Sequence, residues 1–466
     1  VLTQVTLIDM TGAAAKADMT VVIQGNRIVT LGSSKQVRPP KDAQVINAQG
    51  KFLIPGLWDM HLHLTIIPDQ TVSRDVLVPL LVAHGVTGVR DMGGDWQRIQ
   101  ELRKSITDGQ LLGPRIIAPG PFVDGPQQPT DYVLPVNNEE EARQAVRKLK
   151  SQGVDFIKVQ AGLSLPIWQA VIAEAKQQSI LVAGHIPQQI SAFEIARSTQ
   201  QSVEHISPVL PGDAGLLLAC SSKEAELRDE MLKIEKAAQE ANADRQALRQ
   251  RQRTLQMQMI TTYNQEKCAS LLSLLAKNHI VAVPTQIFGK RFAPLDASDL
   301  PMEDALRFAP RSMRERWANR RNAIIKNSTP EDFLFRKMIF EKSRSLVGAI
   351  HQAGVKLMAG TDAIDGYVLP GLSLHQELAL MVEAGLTPME ALQTATYNPA
   401  KYLGMLNSIG TIEQGKIADL VLLEANPLEN INNTQKIAAV ILAGKLIDKA
   451  ELQKILSAIE MAASKK

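Results

Sequence analysis

What the chain is short of narrows the field before any motif is read. Lysine and arginine together number 51 against 48 acidic residues, a net charge of +3. With no basic stripe carrying interleaved aromatics, that balance gives no footing for a nucleic-acid partner. No apolar run approaches the length of a membrane-spanning helix, and no leader peptide is visible. The chain opens on VLTQVTLIDM, which reads as a strand and lacks an initiator Met, so the compartment stays open, cytoplasmic or exported. Cysteine is nearly absent. Cys220 and Cys268 fall in the same unusual region and would pair in an oxidising compartment or stay free in a reducing one. No activating base is evident near Cys220, which reads as a small buried residue rather than a nucleophile. Histidine is scarce too, eight in 466 residues, yet two of the eight stand one residue apart in PGLWDMHLHL.

What is present is ordinary for a soluble globular enzyme, 45% apolar and 21% charged. The length suits one large α/β barrel plus an accessory domain. The first 50 residues alternate short β-rich runs with turns, including a QGN hairpin signal between VVI and RIVTLG. The last part returns to this style in ADLVLLEANP and AAVILAGKLID. We therefore expect a small discontinuous β-sandwich domain from residues 1–54 and 406–466. Between them, eight β-like runs recur: FLIPGLWDMHLHL, GVTGVRDMG, RIIAPGPF, DFIKVQ, ILVAGHIP, SVEHIS, IVAVPTQI and VKLMAGTD. Helical patterning separates most of them, as in EEEARQAVRKLKSQG and LPIWQAVIAEAKQQS. This alternation predicts an α/β fold, a (β/α)8 TIM barrel over residues 55–405. Two insertions interrupt it. Residues 210–278 carry a long Ala/Glu/Gln/Arg/Lys-rich stretch that predicts an exposed helix or helical pair, and residues 289–340 hold PRSMRERWANRR. Either insertion could form a lid. The first reads equally as a solvated arm, a candidate contact surface for a homo-oligomer.

Residues two apart on a strand point the same way, so His61 and His63 project together, into the interior if the strand belongs to a barrel. Two imidazoles converging at a strand's end are natural metal ligands, although HxH alone equally fits a pair of hydrogen-bonded core histidines. The rest of the chain adds to the pair. His185 ends ILVAGHIP, His205 sits in SVEHIS, and Asp362 ends VKLMAGTD. Lys158 lies in DFIKVQ, an apolar strand where a lysine is costly unless paired, for example with Asp155, or modified. Four histidines, one lysine and one aspartate at the same end of barrel strands form a specific combination.

This set resembles the amidohydrolase superfamily, in its two-metal form with a bridging carboxylated lysine. PGLWDMHLH is similar to the family's first-strand motif, and GTIEQGKIADLVLLEANPL to the stretch that returns to the β domain. GVTGVRDMGG, TDA and TATYNPAKYLG resemble the branch containing prolidase-like dipeptidases and imidazolonepropionase relatives. The resemblance implies that His61, His63 and Asp362 bind the more buried metal and His185 and His205 the more exposed one. Lys158, carboxylated by CO2 to a carbamate, would bridge both. The implied cofactors are two divalent cations, zinc first by ligand type, with manganese or cobalt as alternatives. A carbamate offers two hard oxygens for metals roughly 3.5–4 Å apart. Desolvation in an apolar strand favours the neutral amine that captures CO2. The metals would make a shared water hydroxide-like near neutral pH, and Asp362 would act as general base and then general acid.

Other residues invite a role. Asp59 faces the same way as His61 and is expected to buttress a ligand. Arg90 and Asp91 could reach substrate or form an internal ion pair, the simpler reading. Tyr132 and Tyr367 lie in loops after strands as candidate substrate contacts. His375 follows the last strand and could touch substrate or a ligand, or simply pack its helix. His84, His279 and His351 precede strands, at the wrong end of a barrel, and read as structural. The expected function is metal-dependent hydrolysis of an amide-type C–N bond in a small molecule: a dipeptide, an N-acyl amino acid or a cyclic amide. Alternatives are a lactone, carbamate or phosphoester hydrolase using the same site, a heterocycle deaminase, against which Lys158 counts, and a non-catalytic protein, against which the complete ligand set counts.

Overall fold

The computed structural model describes residues 1–206, 215–240, 242–293 and 303–466. Seven strands of the barrel form ladders: β1 (Leu57–Leu62), β2 (Val86–Asp91), β3 (Arg115–Ile117), β4 (Phe156–Val159), β5 (Leu181–Gly184), β6 (Gln200–Glu204) and β7 (Val281–Val283). Every residue of β1, β2, β4 and β7 is buried, as expected of parallel strands covered on both faces. That double burial is why these segments stand out as continuous apolar runs.

The eighth position is the segment 356–362, which forms bridges rather than a ladder. Leu357 pairs with Ala282 of β7, and Ala363 pairs with Leu62 of β1. The Met60 amide donates to Ala359 and the Asp362 amide to His61, at 2.8 and 2.7 Å. Between β3 and β4 the ring is joined by the Asp155 amide on the Ala118 carbonyl at 3.0 Å. The parallel ring is thus closed, and the ends carrying His63, His185, His205 and Asp362 share one rim.

Helices cover the ring with one apolar stripe each. In Glu139–Ser151 the buried residues are Ala142, Ala145, Val146 and Leu149, at helical spacing. Asn138 caps that helix by accepting the Glu141 amide, three glutamates fill its first turn, and Lys148 and Lys150 lie in its last, all matching the helix dipole.

The strands of the two termini form one sheet. Its order is 445–448, 437–442, 420–423, 52–55, 2–7, 16–24 and 27–33, with 46–47 also on 2–7. The hairpin expected at QGN is present. Gln24 pairs with Arg27 across Gly25 and Asn26, and Gly25 takes a φ of +58°, which such a tight turn requires. This sheet has its own apolar cluster, with Leu2, Val5, Val21, Leu53, Leu420 and Ile441 among its members. The chain then ends in a helix, Lys449–Ser464. It buries Ile459 and Ala463 in the same core as the barrel, which the β-like patterning of the C-terminal region did not anticipate.

The first insertion is a helical pair, α1 (Glu224–Ala238) and α2 (Arg245–Thr261), followed by α3 (Gln265–Lys277). The pair is held by a small cluster of its own, Leu227, Ile234, Leu255 and Met259 with Leu218. Cys220 and Cys268 are joined as a disulfide, tying the base of the pair to α3. After β7 come α4 (Gln286–Phe292), α5 (Arg311–Lys326), α6 (Pro330–Gln352) and, beyond the eighth position, α7 (Leu372–Glu383). Residues 210–214 and 241 of the first insertion and 294–302 of the second lie outside the described residues.

Candidate metal centre

His61 and His63 leave β1 on the same side, as alternation requires. Their Nε2 atoms lie 3.4 and 3.5 Å from the same Asp362 oxygen, Oδ1. His205 Nε2 lies 4.0 Å from the other oxygen, Oδ2. His61, His205 and Asp362 offer ligand atoms all within 4.8 Å of one another. The His185 ring centroid is 4.8 Å from that of His205. Lys158, almost wholly buried, sits on β4 opposite Ala183 of β5, two residues before His185. Its charge reaches both His61 and His185. Asp155 pairs with Arg103 and accepts the Ala118 amide.

The orientation of each ring is fixed from behind. His61 Nδ1 is 2.8 Å from Glu204 Oε2, His63 Nδ1 is 2.8 Å from the Gly93 carbonyl, and His205 Nδ1 is 2.7 Å from Thr285 Oγ1. The Glu204 carboxylate and the Gly93 carbonyl can only accept, so the Nδ1 atoms of His61 and His63 donate and their Nε2 atoms face Asp362; the Thr285 hydroxyl likewise engages Nδ1 of His205 and leaves its Nε2 toward Asp362. His185 differs: its Nδ1 is buried without a hydrogen-bond partner among the described residues. An orphaned buried nitrogen beside a convergent set of imidazoles and a carboxylate is what a cation would satisfy. The donor set therefore fits divalent metal.

The backbone is bent to make this cluster. His205 and Asp362 adopt left-handed φ angles of +63° and +57°, and Thr285 adopts +48°. Such backbone costs about 1–3 kcal/mol per residue and collects at functional sites. Glycine supplies room at two neighbouring places. A Cβ on Gly184 would stand 2.1 Å from the Val159 carbonyl, and one on Gly360 would stand 2.7 Å from His61 Cβ.

Electrostatics follow from burial and from these contacts. Burial pulls His61 and His185 well below the ordinary histidine value, and the Lys158 charge adds to this in both. Burial also pulls His63 down, but the hydrogen bond and charge of Asp362, with Asp91, outweigh it and hold that ring above the ordinary value. Burial alone would raise Asp362; the surrounding histidines win and hold it well below the usual carboxylate range.

The remaining candidates fall elsewhere. Asp59 does not touch an imidazole. Its carboxylate accepts the His61 and Thr361 amides at 3.2 and 3.1 Å and the Thr361 hydroxyl at 2.7 Å, so it fastens the first barrel position to the eighth through backbone. Burial pushes it up to about 7. Arg90 forms an internal ion pair, but with Glu204 rather than its neighbour: Nη2 donates to both carboxylate oxygens at 2.8 and 2.9 Å. Asp91 instead accepts the Leu64 and Gly93 amides. Tyr132 lies against Phe122, and the buried Tyr367 ring packs 5.3 Å from that of Trp317. His375 is not at this rim. Its Nε2 is 3.1 Å from the His84 carbonyl, at the entry end of β2, and its Nδ1 is 3.0 Å from Thr434 Oγ1.

Two residues of the cluster escaped the sequence reading. Glu204, fully buried, both orients His61 and neutralises Arg90. Its signal was a carboxylate inside the apolar run SVEHIS, the same oddity that marks Lys158. Thr285 orients His205, and nothing in IVAVPTQI announces it.

A profile of the amidohydrolase family matches residues 52–218 and 299–447. The chain is 22% identical over 444 residues to ochratoxinase of Aspergillus niger, covering 83% of this chain and 73% of that one. It is 38% identical over 98 residues to imidazolonepropionase of Legionella pneumophila, 20% of this chain and 22% of that one. The solved structure of a Xaa-Pro dipeptidase superimposes with a TM-score of 0.65 at 21% identity, covering 96% of this chain and 99% of that one. With two thirds of the chain matched and a rim of imidazoles around one aspartate, the chain belongs to the amidohydrolase family and is a hydrolase acting on carbon–nitrogen bonds.

Proposed function

We propose that the chain hydrolyses an amide bond in a small molecule (a dipeptide, an N-acyl amino acid or a cyclic amide) at a two-metal centre. His61, His63 and Asp362 would hold one cation and His185 and His205 the other, with a carbamate on Lys158 between them. The observation that carries the reading is the tying-off of three Nδ1 atoms by Glu204, Gly93 and Thr285, which leaves the Nε2 atoms facing Asp362. The unpartnered His185 Nδ1 supports it. When bound, two divalent cations, zinc by the imidazole-rich donor set, supply carbonyl polarisation and a water acidic enough to attack near neutral pH.

The chain's own groups do the rest. Lys158 as an ammonium would repel cations, as its effect on His61 and His185 shows. Reaction of its neutral amine with CO2, with loss of a proton, replaces that positive charge by a negative one carrying two ligand oxygens. Asp362 accepts a proton from the attacking water as its oxygen bonds to the carbonyl carbon. It returns that proton to the nitrogen as the C–N bond breaks. Asp59 holds the strand end carrying His61 against the segment carrying Asp362 while this happens.

The test is metal analysis of the purified protein with hydrolysis assays on dipeptides, N-acyl amino acids and esters, beside Lys158→Ala. The expected result is about two metals per chain, amide hydrolysis in the wild type, and loss of both in the variant. A metal-free active protein, full activity in Lys158→Ala, or turnover of esters alone would overturn the proposal.

A further inference from the structure

Three of the four rim histidines are fixed from behind at Nδ1, by Glu204, the Gly93 carbonyl and Thr285. His185 is the exception, its Nδ1 having no hydrogen-bond partner among the described residues. Its direction is left to packing against His205 and to the backbone that carries it, the segment 185–191 leaving β5. The near part of that segment is tied to the barrel. The His185 amide donates to the Val159 carbonyl at 3.1 Å, Gln200 Nε2 donates to the His185 carbonyl at 3.2 Å, and the Gln188 amide donates to the Ala161 carbonyl at 2.9 Å.

The far part is held by the first insertion. Arg228 of α1 donates through Nη1 to the Gln188 carbonyl at 2.6 Å and through Nη2 to Glu224 Oε1 at 2.8 Å. The same Glu224 oxygen accepts the Ser191 hydroxyl at 2.7 Å. Its other oxygen accepts Lys267 Nζ of α3 at 2.7 Å, and Lys267 donates as well to the Ser221 carbonyl at 2.8 Å. The Cys220–Cys268 disulfide joins the residues next to Ser221 and Lys267, so the base of the insertion is itself braced. Gln188 and Glu224 are buried, and the Arg228 side chain is 12% exposed. Surface ion pairs fix little; hydrogen bonds to a charged group shielded from water are short and strong. Those of Arg228 and Glu224 end on the two places where the insertion grips the segment, the Gln188 carbonyl and the Ser191 hydroxyl.

We infer that the first insertion is a clamp on the segment carrying His185, with Arg228 and Glu224 as positioning residues. Through Gln188 and Ser191 they supply to His185 the constraint that the other three rings receive at Nδ1. The inference rests on the metal-binding role proposed above for His185. It gives the helical pair a task in the site that needs neither closure over the rim nor a second copy of the chain.

Two measurements on the purified protein test it. The first is hydrogen exchange, with and without chelator. Arg228→Met is expected to speed exchange of residues 185–191 by about ten-fold or more, while residues 203–206 around His205 stay within about two-fold. The second is metal affinity, titrated against a chelator. Arg228→Met should weaken binding by about ten-fold or more, the effect of losing a partner that orients a ligand. Loss of a positive charge alone would strengthen cation binding, so the sign separates positioning from charge. Arg228→Lys keeps a donor for the Gln188 carbonyl and should recover most of the loss; Glu224→Gln should weaken binding in the same direction. In a His185→Ala background, Arg228→Met should change affinity by no more than about two-fold, because the ring it positions is gone. Unchanged exchange of 185–191 in Arg228→Met, wild-type affinity in that variant, or an equal loss with and without His185 would overturn the inference. If wild type binds no metal while Arg228→Met still frees the segment, the two-metal reading falls and the clamp remains.

Discussion

Glu204 offers the sharpest test of how the histidine rim, proposed above to hold metal, is fixed. Its carboxylate takes two hydrogen bonds from Arg90 Nη2, one from Ser202 Oγ at 2.5 Å, and the 2.8 Å contact with His61 Nδ1. Both Arg90 and Glu204 are fully buried, so each charge tolerates the interior only because of the other. Glu204→Gln keeps the shape and one acceptor but leaves the guanidinium uncompensated. Breaking a buried pair from one side costs about 3–5 kcal/mol. At roughly 2 cal/mol/K of unfolding entropy per residue, a chain of 466 residues loses about 1 °C per kcal/mol, so we expect the unfolding temperature to fall by about 3–5 °C. Separately, a ligand imidazole without its carboxylate partner binds metal about 10- to 100-fold more weakly. The two effects separate in Arg90→Met/Glu204→Gln, which removes both charges. Stability should recover by a large part of the loss, whereas metal affinity, titrated against a chelator, should stay low because His61 still lacks a charged partner. If the double variant is less stable than wild type by the sum of the two single losses, or if Glu204→Gln keeps wild-type metal affinity, the account of Glu204 as the common anchor of Arg90 and His61 is wrong.

Two further predictions concern the frame around the site. The disulfide joins residues 48 apart in sequence and encloses the helical pair α1 and α2. Loop-closure entropy for a ring of that size is worth roughly 4 kcal/mol, so Cys220→Ser/Cys268→Ser should unfold at lower temperature than wild type, and reductant should destabilise wild type but not the variant. Equal melting with and without reductant would refute a role for the bridge. Glu377 is pushed by burial from 4.5 up to about 8, against the pull of the two amides it accepts. The folded chain therefore keeps a proton there that the unfolded chain releases above its ordinary pKa. Stability from this group is complete below about pH 4.5 and is lost as pH rises through about 8, with a slope of at most about 1.4 kcal/mol per pH unit. Urea unfolding at pH 5.5 and 8 should show a steeper fall in wild type than in Glu377→Gln, where the remaining fall belongs to Asp59, itself pushed up to about 7; equal falls in the two proteins would mean that Glu377 carries none of it.

Most of the barrel was legible because a parallel strand buried on both faces has no polar side to blur it. LWDMHL, VTGVRD and FIKV could hardly be anything else, and the polar residue lodged in each marked something to explain. The eighth run, VKLMAGTD, was legible by its terminal aspartate rather than by strand character, for the structure gives it bridges in place of a ladder. What could not be read depends on contacts far apart in sequence. Arg90 and Glu204 are 114 positions apart, and no local rule chooses Glu204 over the adjacent Asp91 as the partner. His375 reads as a residue that follows the last strand; only the fold shows its helix carrying it down to His84. A space lined by α2, α4, α5 and α6 likewise draws on residues from Gln246 to Ser343, and spacing within any one segment says nothing of it.

The left-handed residues tie these unread parts together. His205, Thr285 and Asp362 end three successive barrel positions, and each turns out of its strand at φ near +50° to +60°. Thr285 in that conformation sends its hydroxyl to His205 and starts α4, whose first two amides are received by Glu377. One turn of chain therefore fixes two things at once: the ring that presents Nε2 to Asp362, and the first turn of α4 against Glu377. Straightening Thr285 into ordinary strand geometry would relieve strain locally and release both. That is a physical reason for the chain to keep a threonine in backbone that glycine adopts more readily: glycine would remove the strain but also the hydroxyl that His205 needs.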